Sequence, residues 1–276
     1  LNLQIGTNCM TASSSPELTD EFEISSFDVA GYAACALSDW QSLAGVIDHT
    51  LLKPDATAAD VLRLCQEAIQ YRFACVSVNP CWVALAHSAL AGSGISVGSV
   101  IGFPLGASLT HSKREESESA LRLGARELDM VIHIGALKSG DNAAVQSDVH
   151  TVVELAHDAG AQNKAILETC LLTLEEKLRA SEICVAAGVD FLKTSTGFST
   201  GGATVEDVSL LRGVAGGRCG VKAAGGIRTL DAVRDMLEAG ASRIGTSSGV
   251  AIVESYREQQ STVQSYLTEQ SVATSR

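Results

Sequence analysis

The chain has 276 residues, of which 46% are hydrophobic, enough for one large globular domain or two small ones. A net charge of −12 argues against a general affinity for nucleic acid or for anionic membranes, so we expect neither as a partner. No apolar run approaches the length of about 18 residues that a membrane span requires, and the N-terminal residues lack the basic and apolar regions of a signal peptide.

The first part of the chain differs from the rest. Residues 1–25 are polar, serine-rich and acidic, and we expect them to be disordered or loosely attached. Residues 27–43 are predicted to form a helix that packs on the body of the protein. The predicted organisation is an N-terminal extension over residues 1–43, a folded unit over 44–260 and a C-terminal tail over 261–276.

Short β-branched runs alternate with helical patterns from residue 46 onward. The predicted strands lie at residues 46–50, 74–78, 97–101, 128–132, 165–168, 191–193, 220–222 and 243–245. The predicted helices between them include residues 57–71, 112–123, 145–159, 174–187, 205–214 and 230–239. Thr57 and Ser112 are predicted N-caps, and the predicted C-cap glycines are Gly124, Gly160, Gly188 and Gly240.

Eight strand-and-helix units are the number that closes a barrel of parallel strands. A doubly wound open sheet would usually have fewer strands and would often show a glycine-rich turn after the first one. We therefore predict an α/β protein whose fold is a (β/α)8 TIM barrel with an N-terminal extension.

Eight cysteines are scattered along the chain, several of them inside apolar patterns. None of them forms a Cys-x-x-Cys pair. This usage is typical of reduced thiols, so we predict a cytoplasmic protein.

Charged residues within or directly after predicted strands mark the candidate site, because the carboxyl ends of barrel strands carry the chemistry. These residues are Asp48, Asp129, Glu168, Lys193 and Lys222. A single charged residue in a barrel strand more often belongs to a structural ion pair than to a catalytic site. Two lysines on adjacent strands gain nothing structurally from each other, so Lys193 and Lys222 together favour a function.

Repulsion between these two ammonium groups is expected to activate one of them. At about 4 Å and an effective dielectric constant of about 20, the repulsion is roughly 4 kcal/mol, which corresponds to about three pKa units. Partial desolvation acts in the same direction, and we expect repulsion to be the larger cause. Lys193 would then be a free amine able to attack an aldehyde, while Asp129 and Asp48 balance the charge.

Two turns of small residues predict a phosphate site. The sequence AAGGIRT at 223–229 follows the seventh strand, and GTSSG at 245–249 lies at the end of the eighth. Backbone N–H groups at the helix N-termini of these two loops commonly hold phosphate in barrels. Neither turn matches a P-loop or a dinucleotide fingerprint, and glycines needed only for tight turns are the alternative interpretation.

Seven segments, taken together and in order, resemble one family. They are VIDHTLLKPDAT (46–57), VIGFPLGAS (100–108), ELDMVIHIGAL (127–137), ILETCLLT (166–173), FLKTSTGFSTGGAT (191–204), GVKAAGGIRT (220–229) and GTSSGVAIVE (245–254). Over these segments the chain is similar to the deoxyribose-phosphate aldolase family of class I aldolases.

The resemblance implies reversible cleavage of 2-deoxy-D-ribose 5-phosphate to D-glyceraldehyde 3-phosphate and acetaldehyde. Lys193 matches the Schiff-base lysine, and Lys222 matches the second active-site lysine. Asp129 matches the carboxylate of proton transfer, and Asp48 resembles an acid that completes the hydrogen bonds around the second lysine. The imine accepts the electrons of the breaking bond, so neither a metal nor a cofactor is expected. The implied partners are phosphosugars, aldehydes and further copies of the chain in a homodimer or other small homo-oligomer.

The same resemblance implies a set of substrate- and phosphate-binding residues: Thr196, Gly197, Gly225, Gly226, Arg228, Ser247 and Ser248. Cys75 matches a position close to the substrate in some members, although a buried structural thiol is the alternative. Phe198 stands where some members carry a lysine, so phosphate contact would rest on backbone amides and Arg228. His133 stands where asparagine is common.

Two other classes of function stay open at the level of sequence. A phosphosugar isomerase or synthase barrel would share the phosphate loops but would use acid and base residues without a covalent lysine. Borohydride trapping of an imine separates this alternative from an aldolase. A binding or scaffold protein that kept the barrel but lost turnover is the other alternative, and an activity assay decides it.

Overall fold

A computed structural model describes the backbone of residues 26–274 and the side chains of residues 26–262. The segment 1–25, for which disorder is predicted, lies outside the described residues. Within the described part, no helix is both long enough and apolar enough to cross a membrane.

Eight parallel strands form a closed barrel in which the order of the strands follows the chain. The strands are β1 (Ile47–Leu51), β2 (Cys75–Val78), β3 (Ser96–Ile101), β4 (Glu127–Val131), β5 (Gln162–Ile166), β6 (Phe191–Lys193), β7 (Gly220–Ala224) and β8 (Arg243–Thr246). β8 pairs with β1, with Asp48 opposite Gly245, and this pairing closes the sheet. The predicted (β/α)8 barrel is confirmed.

Helices alternate with the strands and cover the barrel. Two short helices, α1 (Val29–Ala36) and α2 (Trp40–Ala44), precede the first strand. The others are α3 (Ala58–Tyr71), α4 (Val83–Ala89), α5 (Thr110–Arg122), α6 (Ile134–Lys138), α7 (Asn142–Asp158), α8 (Leu174–Ala186), α9 (Val205–Ala215), α10 (Leu230–Glu238) and α11 (Gly249–Thr274). Short 3-10 turns occur at Pro80–Trp82 and Thr169–Leu171. The sequence analysis had not specified α4 or α6.

Helix boundaries follow the capping residues in most places. Thr57 caps α3 in a reciprocal capping box with Asp60, as its position predicts. The prediction of Ser112 as an N-cap is wrong, because α5 begins two residues earlier, after Leu109, and has no side-chain cap. All four predicted C-cap glycines have positive φ values: Gly124, Gly160, Gly188 and Gly240.

Residues 27–43 contain two helices where the sequence predicted one. Asp39 separates them, because its carboxylate accepts a hydrogen bond of 2.8 Å from the backbone N–H of Ser42 and caps α2. The Tyr32 hydroxyl in α1 donates to the carbonyl of Ser242 at 2.7 Å, next to β8. This hydrogen bond and the packing of α1 on α10 attach the N-terminal helices to the barrel.

The fifth strand begins and ends earlier than predicted. β5 ends at Ile166, so Glu168 lies in the turn that follows, with a left-handed φ of 57°. β5 begins at Gln162 and therefore contains Lys164. Lys164 is therefore a third lysine on the strands of the barrel, in addition to Lys193 and Lys222.

Successive side chains along a strand point alternately outward to the helices and inward to the barrel interior. In β4, Leu128 and Met130 belong to the hydrophobic core, whereas Glu127 and Asp129 alternate with them and contact charged side chains of other strands. The main core thus lies between the strands and the surrounding helices. The charged side chains of β4 lie in the interior of the barrel.

Candidate active site

Seven charged side chains meet inside the barrel, and we call them the interior charge cluster. The basic members are Lys164, Lys193, Lys222 and Arg243, and the acidic members are Asp48, Glu127 and Asp129. All are buried except Arg243, whose side chain is 16% exposed. Four basic groups face three carboxylates, so the charges balance only when one basic group is neutral.

Asp129 lies at the centre of the cluster and contacts three lysines. Its Oδ2 atom accepts hydrogen bonds of 2.7 Å from both Lys193 and Lys222, and its Oδ1 atom accepts one of 2.9 Å from Lys164. Lys193 and Lys222 are register partners on β6 and β7, which explains why both reach the same oxygen. Burial by itself would raise the pKa of Asp129, but the three lysines outweigh it and hold the pKa well below its usual range.

Asp48 on β1 holds the other side of Lys222. Its Oδ2 atom lies 2.5 Å from the Lys222 ammonium, and its Oδ1 atom accepts a 2.7 Å hydrogen bond from Arg243. Burial opposes ionisation here as well, but the two cations outweigh it and lower the pKa of Asp48 to about 2. Asp48 is therefore a fixed negative charge beneath the second lysine.

The three lysines differ in the direction of their pKa shifts. Burial lowers the pKa of Lys193 to about 8, with the attraction of Asp129 opposing the shift and repulsion from Lys222 adding to it. For Lys222 and Lys164 burial acts in the same direction, but the neighbouring carboxylates outweigh it and raise both pKa values. Lys193 is therefore the lysine of the three that gives up its proton first.

The cause of the Lys193 shift corrects the sequence-based expectation. Repulsion from Lys222 was expected to exceed desolvation, on the argument that a strand end stays open to water. Lys193 is only 3% exposed, and burial is the largest cause of its lowered pKa. Lys222 contributes repulsion, but Asp129 lies against both ammonium groups and offsets it.

Sequence reasoning missed three members of the interior charge cluster. Lys164 hydrogen-bonds to Glu127 as well as to Asp129, and Arg243 lies 3.7 Å from Glu127. The signal was present in the sequence, because Glu127 stands two residues before Asp129 and therefore on the same face of the strand. Lys164 was overlooked because the predicted strand began at Ala165, directly after it, whereas β5 begins at Gln162.

Cys75 lies inside the barrel beside two of these carboxylates. Its Sγ atom and carboxylate oxygens of Asp48 and Glu127 lie within 4.8 Å of one another. Burial is the largest cause of the raised pKa of Cys75. The protein's own cations already hold both carboxylates, Asp48 through Lys222 and Glu127 through Lys164. Cys75 is not among the residues that line the cavity described next.

A cavity of about 200 Å³ opens above the cluster, at the carboxyl ends of β6, β7, β8 and β1. Lys193 is the member of the interior charge cluster that lines it. Six of the seven predicted substrate- and phosphate-binding residues also line it: Thr196, Gly197, Gly225, Gly226, Arg228 and Ser247. The seventh, Ser248, does not, and its backbone N–H donates to Thr246 Oγ1 at 2.9 Å.

Glu168 shapes the loop that carries Thr196. The hydroxyl of Thr196 donates to the Glu168 carboxylate, and its backbone N–H lies 3.3 Å from the same group. The Thr196 hydroxyl oxygen in turn accepts a 3.0 Å hydrogen bond from the N–H of Phe198. Gly225 lies opposite this loop, and a Cβ atom on it would stand 3.1 Å from Gly202 Cα, so the two loops approach as close as glycine allows.

His133 has a structural role that accounts for its position. Its Nδ1 atom accepts a 3.1 Å hydrogen bond from the N–H of Ala136, which makes it the N-cap of α6. Asparagine is among the preferred N-cap residues and satisfies the same orphan donors of a first turn. A histidine therefore serves here in a capping function that asparagine also performs well.

Comparisons with known proteins agree with this arrangement. A family profile described as DeoC/LacD family aldolase matches residues 43–255. The deoxyribose-phosphate aldolase of Thermococcus gammatolerans is 58% identical over 217 residues, which cover 78% of this chain and 96% of the relative. That of Bacillus mycoides is 56% identical over 212 residues, which cover 77% of this chain and 95% of the relative.

Solved structures give the same assignment. A tetrameric deoxyribose phosphate aldolase from Aeropyrum pernix matches with a TM-score of 0.77 at 37% identity, over 83% of this chain and 97% of that chain. The profile spans most of the chain, and both sequence relatives share more than half of the aligned residues. The chain therefore belongs to the DeoC/LacD aldolase family.

Proposed function

We propose that the protein reversibly cleaves 2-deoxy-D-ribose 5-phosphate to D-glyceraldehyde 3-phosphate and acetaldehyde through a Schiff base on Lys193. One observation carries this proposal: the lysine with the lowered pKa is also the member of the interior charge cluster that lines the cavity. A nucleophilic amine must be both deprotonated and accessible to its substrate. The names of the relatives supply the substrate.

The covalent step begins with addition of the Lys193 amine to the C1 aldehyde of the open-chain sugar. Loss of water gives an iminium, which accepts the electron pair of the C2–C3 bond as that bond breaks. The C3 hydroxyl loses its proton at the same time, and D-glyceraldehyde 3-phosphate leaves. The remaining enamine is protonated at C2, and water hydrolyses the resulting imine to acetaldehyde and free Lys193.

Asp129 is the proposed proton acceptor for the C3 hydroxyl, directly or through a water molecule. Its Oδ2 atom lies 2.7 Å from the Lys193 amine, so it adjoins the atom that carries the substrate. Lys222 and Lys164 keep Asp129 ionised between turnovers, because both remain charged. Asp48 keeps Lys222 charged and in place through their 2.5 Å contact.

The phosphate is proposed to bind at the two turns of small residues. Gly225 and Gly226 after β7 and Ser247 after β8 line the cavity, close to the starts of α10 and α11, and their backbone N–H groups are the proposed phosphate donors. Arg228 lines the same cavity and adds a positive charge. The Ser248 amide is already hydrogen-bonded, so we do not include it among the phosphate donors.

Reductive trapping tests this proposal. Incubation with acetaldehyde and borohydride is expected to add one ethyl group to the peptide that contains Lys193, and Lys193→Arg is expected to abolish both the adduct and turnover. An adduct on Lys222 would reverse the two roles. Turnover of the phosphosugar without any adduct would favour a barrel that uses acid and base residues alone.

We further propose that the protein acts in the cytoplasm as a homodimer or other small homo-oligomer, without a cofactor. The tetrameric relative from Aeropyrum pernix supports an oligomer. The seven cysteines among the described residues are all free thiols, as expected in a reducing compartment. Light scattering after size-exclusion chromatography measures the oligomeric state, and activity after exhaustive chelation tests independence from metal.

A further inference from the structure

Three cations in the described part of the chain lack a partner. Ion pairs or hydrogen bonds engage every described lysine and arginine side chain except Lys53, Arg72 and Arg228. The whole chain carries a net charge of −12, so carboxylates are plentiful on its surface. Two of the three free cations, Lys53 and Arg228, line the same cavity.

The barrel places these two cations around the proposed phosphate loops. Arg228 follows β7 and Lys53 follows β1, and β8 pairs with both of these strands. The turn that contains Ser247 therefore lies between the loops that carry the two cations. A dianion held at the backbone N–H groups of this turn would have a positive side chain in each flanking loop.

The loop of Lys53 is fixed rather than loose. Leu52, the preceding residue, is buried, and its carbonyl accepts a 3.1 Å hydrogen bond from Asn79. The Lys53 carbonyl accepts a 3.2 Å hydrogen bond from the N–H of Ala56, and Pro54 limits the backbone between them. The backbone of Lys53 is thus held at the mouth of the cavity while its side chain stays exposed.

We propose that Lys53 is a specificity-determining residue that binds the phosphate dianion of the substrate together with Arg228. This inference rests on the proposed function and extends it to a residue of the first βα loop. Lys53 selects phosphorylated sugars over their free counterparts, because only the former present a dianion to the cavity. Charge-assisted hydrogen bonds to phosphate are stronger than hydrogen bonds between neutral groups, so the loss of one changes substrate preference measurably.

The experiment compares Lys53→Met with Arg72→Met and Lys53→Arg. Arg72 is exposed and unpartnered like Lys53 but does not line the cavity, so its replacement controls for the loss of one positive charge. For each variant, kcat and KM are measured with 2-deoxyribose 5-phosphate and with 2-deoxyribose. The ratio of the two kcat/KM values reports selection for the phosphate group.

We expect Lys53→Met to lower this ratio by about tenfold or more, mainly through KM for the phosphorylated sugar, as loss of one charge-assisted contact predicts. Lys53→Arg should keep most of the ratio, and Arg72→Met should leave it within about twofold of wild type, because long-range surface charge is screened. An unchanged ratio in Lys53→Met, or an equal fall in Arg72→Met, overturns the inference.

Binding of inorganic phosphate, measured by titration calorimetry, tests the same inference without turnover. Lys53→Met should weaken phosphate binding by about tenfold relative to Arg72→Met. Equal affinities overturn the role of Lys53, even when the wild-type protein is an active aldolase. A wild-type protein that forms no acetaldehyde adduct overturns the proposed function instead, so the two failures are distinguishable.

Discussion

Lys164 holds one carboxylate oxygen of Asp129 at 2.9 Å, and the opposite oxygen is thereby left to Lys193 and Lys222. A carboxylate with a fixed oxygen cannot turn away from the reacting amine. Lys164 also hydrogen-bonds to Glu127 on the same strand as Asp129. We therefore predict that Lys164 is a positioning residue, which holds Asp129 in place for the proposed reaction.

Lys164→Met is expected to lower kcat at least tenfold while Lys193 still forms the borohydride adduct with acetaldehyde. Asp129 loses both its fixed orientation and one of its cations, whereas the nucleophile itself is untouched. Steady-state kinetics and intact-mass analysis of the adduct are the measurements. In Lys164→Met the Glu127 carboxylate loses its lysine partner and stays buried. The double variant Lys164→Met and Glu127→Leu removes this carboxylate too and serves as a control for misfolding. A kcat close to wild type in Lys164→Met would contradict the positioning role.

The pH dependence of kcat/KM reports the Lys193 amine. The pKa of Lys193 is lowered to about 8, so only about one tenth of the molecules carry the free amine at pH 7. Because the deprotonated form is the nucleophile, kcat/KM should rise with pH through about 8 and then level off. Rates with 2-deoxyribose, which carries no titrating phosphate, isolate this transition. A profile that is flat from pH 6.5 to pH 9 contradicts the assignment.

Lys222→Leu is expected to shift the same transition to higher pH. Loss of a neighbouring cation, with Asp129 left in place, favours the protonated form of Lys193. The shift should stay well below about three units, since burial, the largest cause of the lowered pKa, persists. Lys222→Arg keeps the charge and serves as the control. An unchanged midpoint in Lys222→Leu would show that its charge does not act on Lys193.

Lys222→Leu should also lower the free energy of unfolding. Lys222 is 1% exposed and pairs with both Asp48 and Asp129, which would remain as buried charges with fewer partners. Removing one partner of a buried ion pair typically costs about 3–5 kcal/mol. Urea unfolding measures the difference, with Lys222→Arg again as the control. A free energy of unfolding equal to that of wild type would mean that other cations compensate.

A second buried ion pair lies outside the active site, between α5 and α7. Lys113 Nζ lies 2.5 Å from Asp148 Oδ2 and donates to the carbonyl of Val131 at 2.8 Å, and both charged residues are fully buried. Asp148→Ala should lower the free energy of unfolding by about 3–5 kcal/mol, because Lys113 is left buried without its partner. The double variant Lys113→Met and Asp148→Leu should recover part of this loss. Strict additivity of the single effects would contradict a coupled pair.

The fold could be predicted from the sequence because the alternation of strands and helices is local information. The exception is β5, whose sequence QNKAI begins with three polar residues and looks like a loop. Asn163 and Lys164 are nevertheless buried, since Glu127, Asp129 and the carbonyl of Leu128 supply their partners. A strand that buries polar groups against other strands cannot be recognised from its own residues.

The candidate site was predictable to the extent that its residues stand out in apolar strands. Lys193, Lys222, Asp129 and Asp48 were singled out in this way, and the structure brings them into contact. Which effect lowers the pKa of Lys193 was not predictable, because the exposed fraction of a side chain depends on loops from several parts of the chain. Lys53 was likewise overlooked, since its lack of a partner becomes visible only when the other charges are placed.

The burial of Lys193 couples its chemistry to the rigidity of the barrel. Water admitted around β6 by a loosened interior would restore the hydration of the ammonium, and the amine would regain its proton. The protein would then lose its activity before it unfolds, at a temperature below its Tm. Substitutions that tighten the packing around this strand should preserve the free amine as well as the fold. We therefore expect that substitutions which tighten this strand raise heat tolerance and keep activity together, whereas the two often conflict in other proteins.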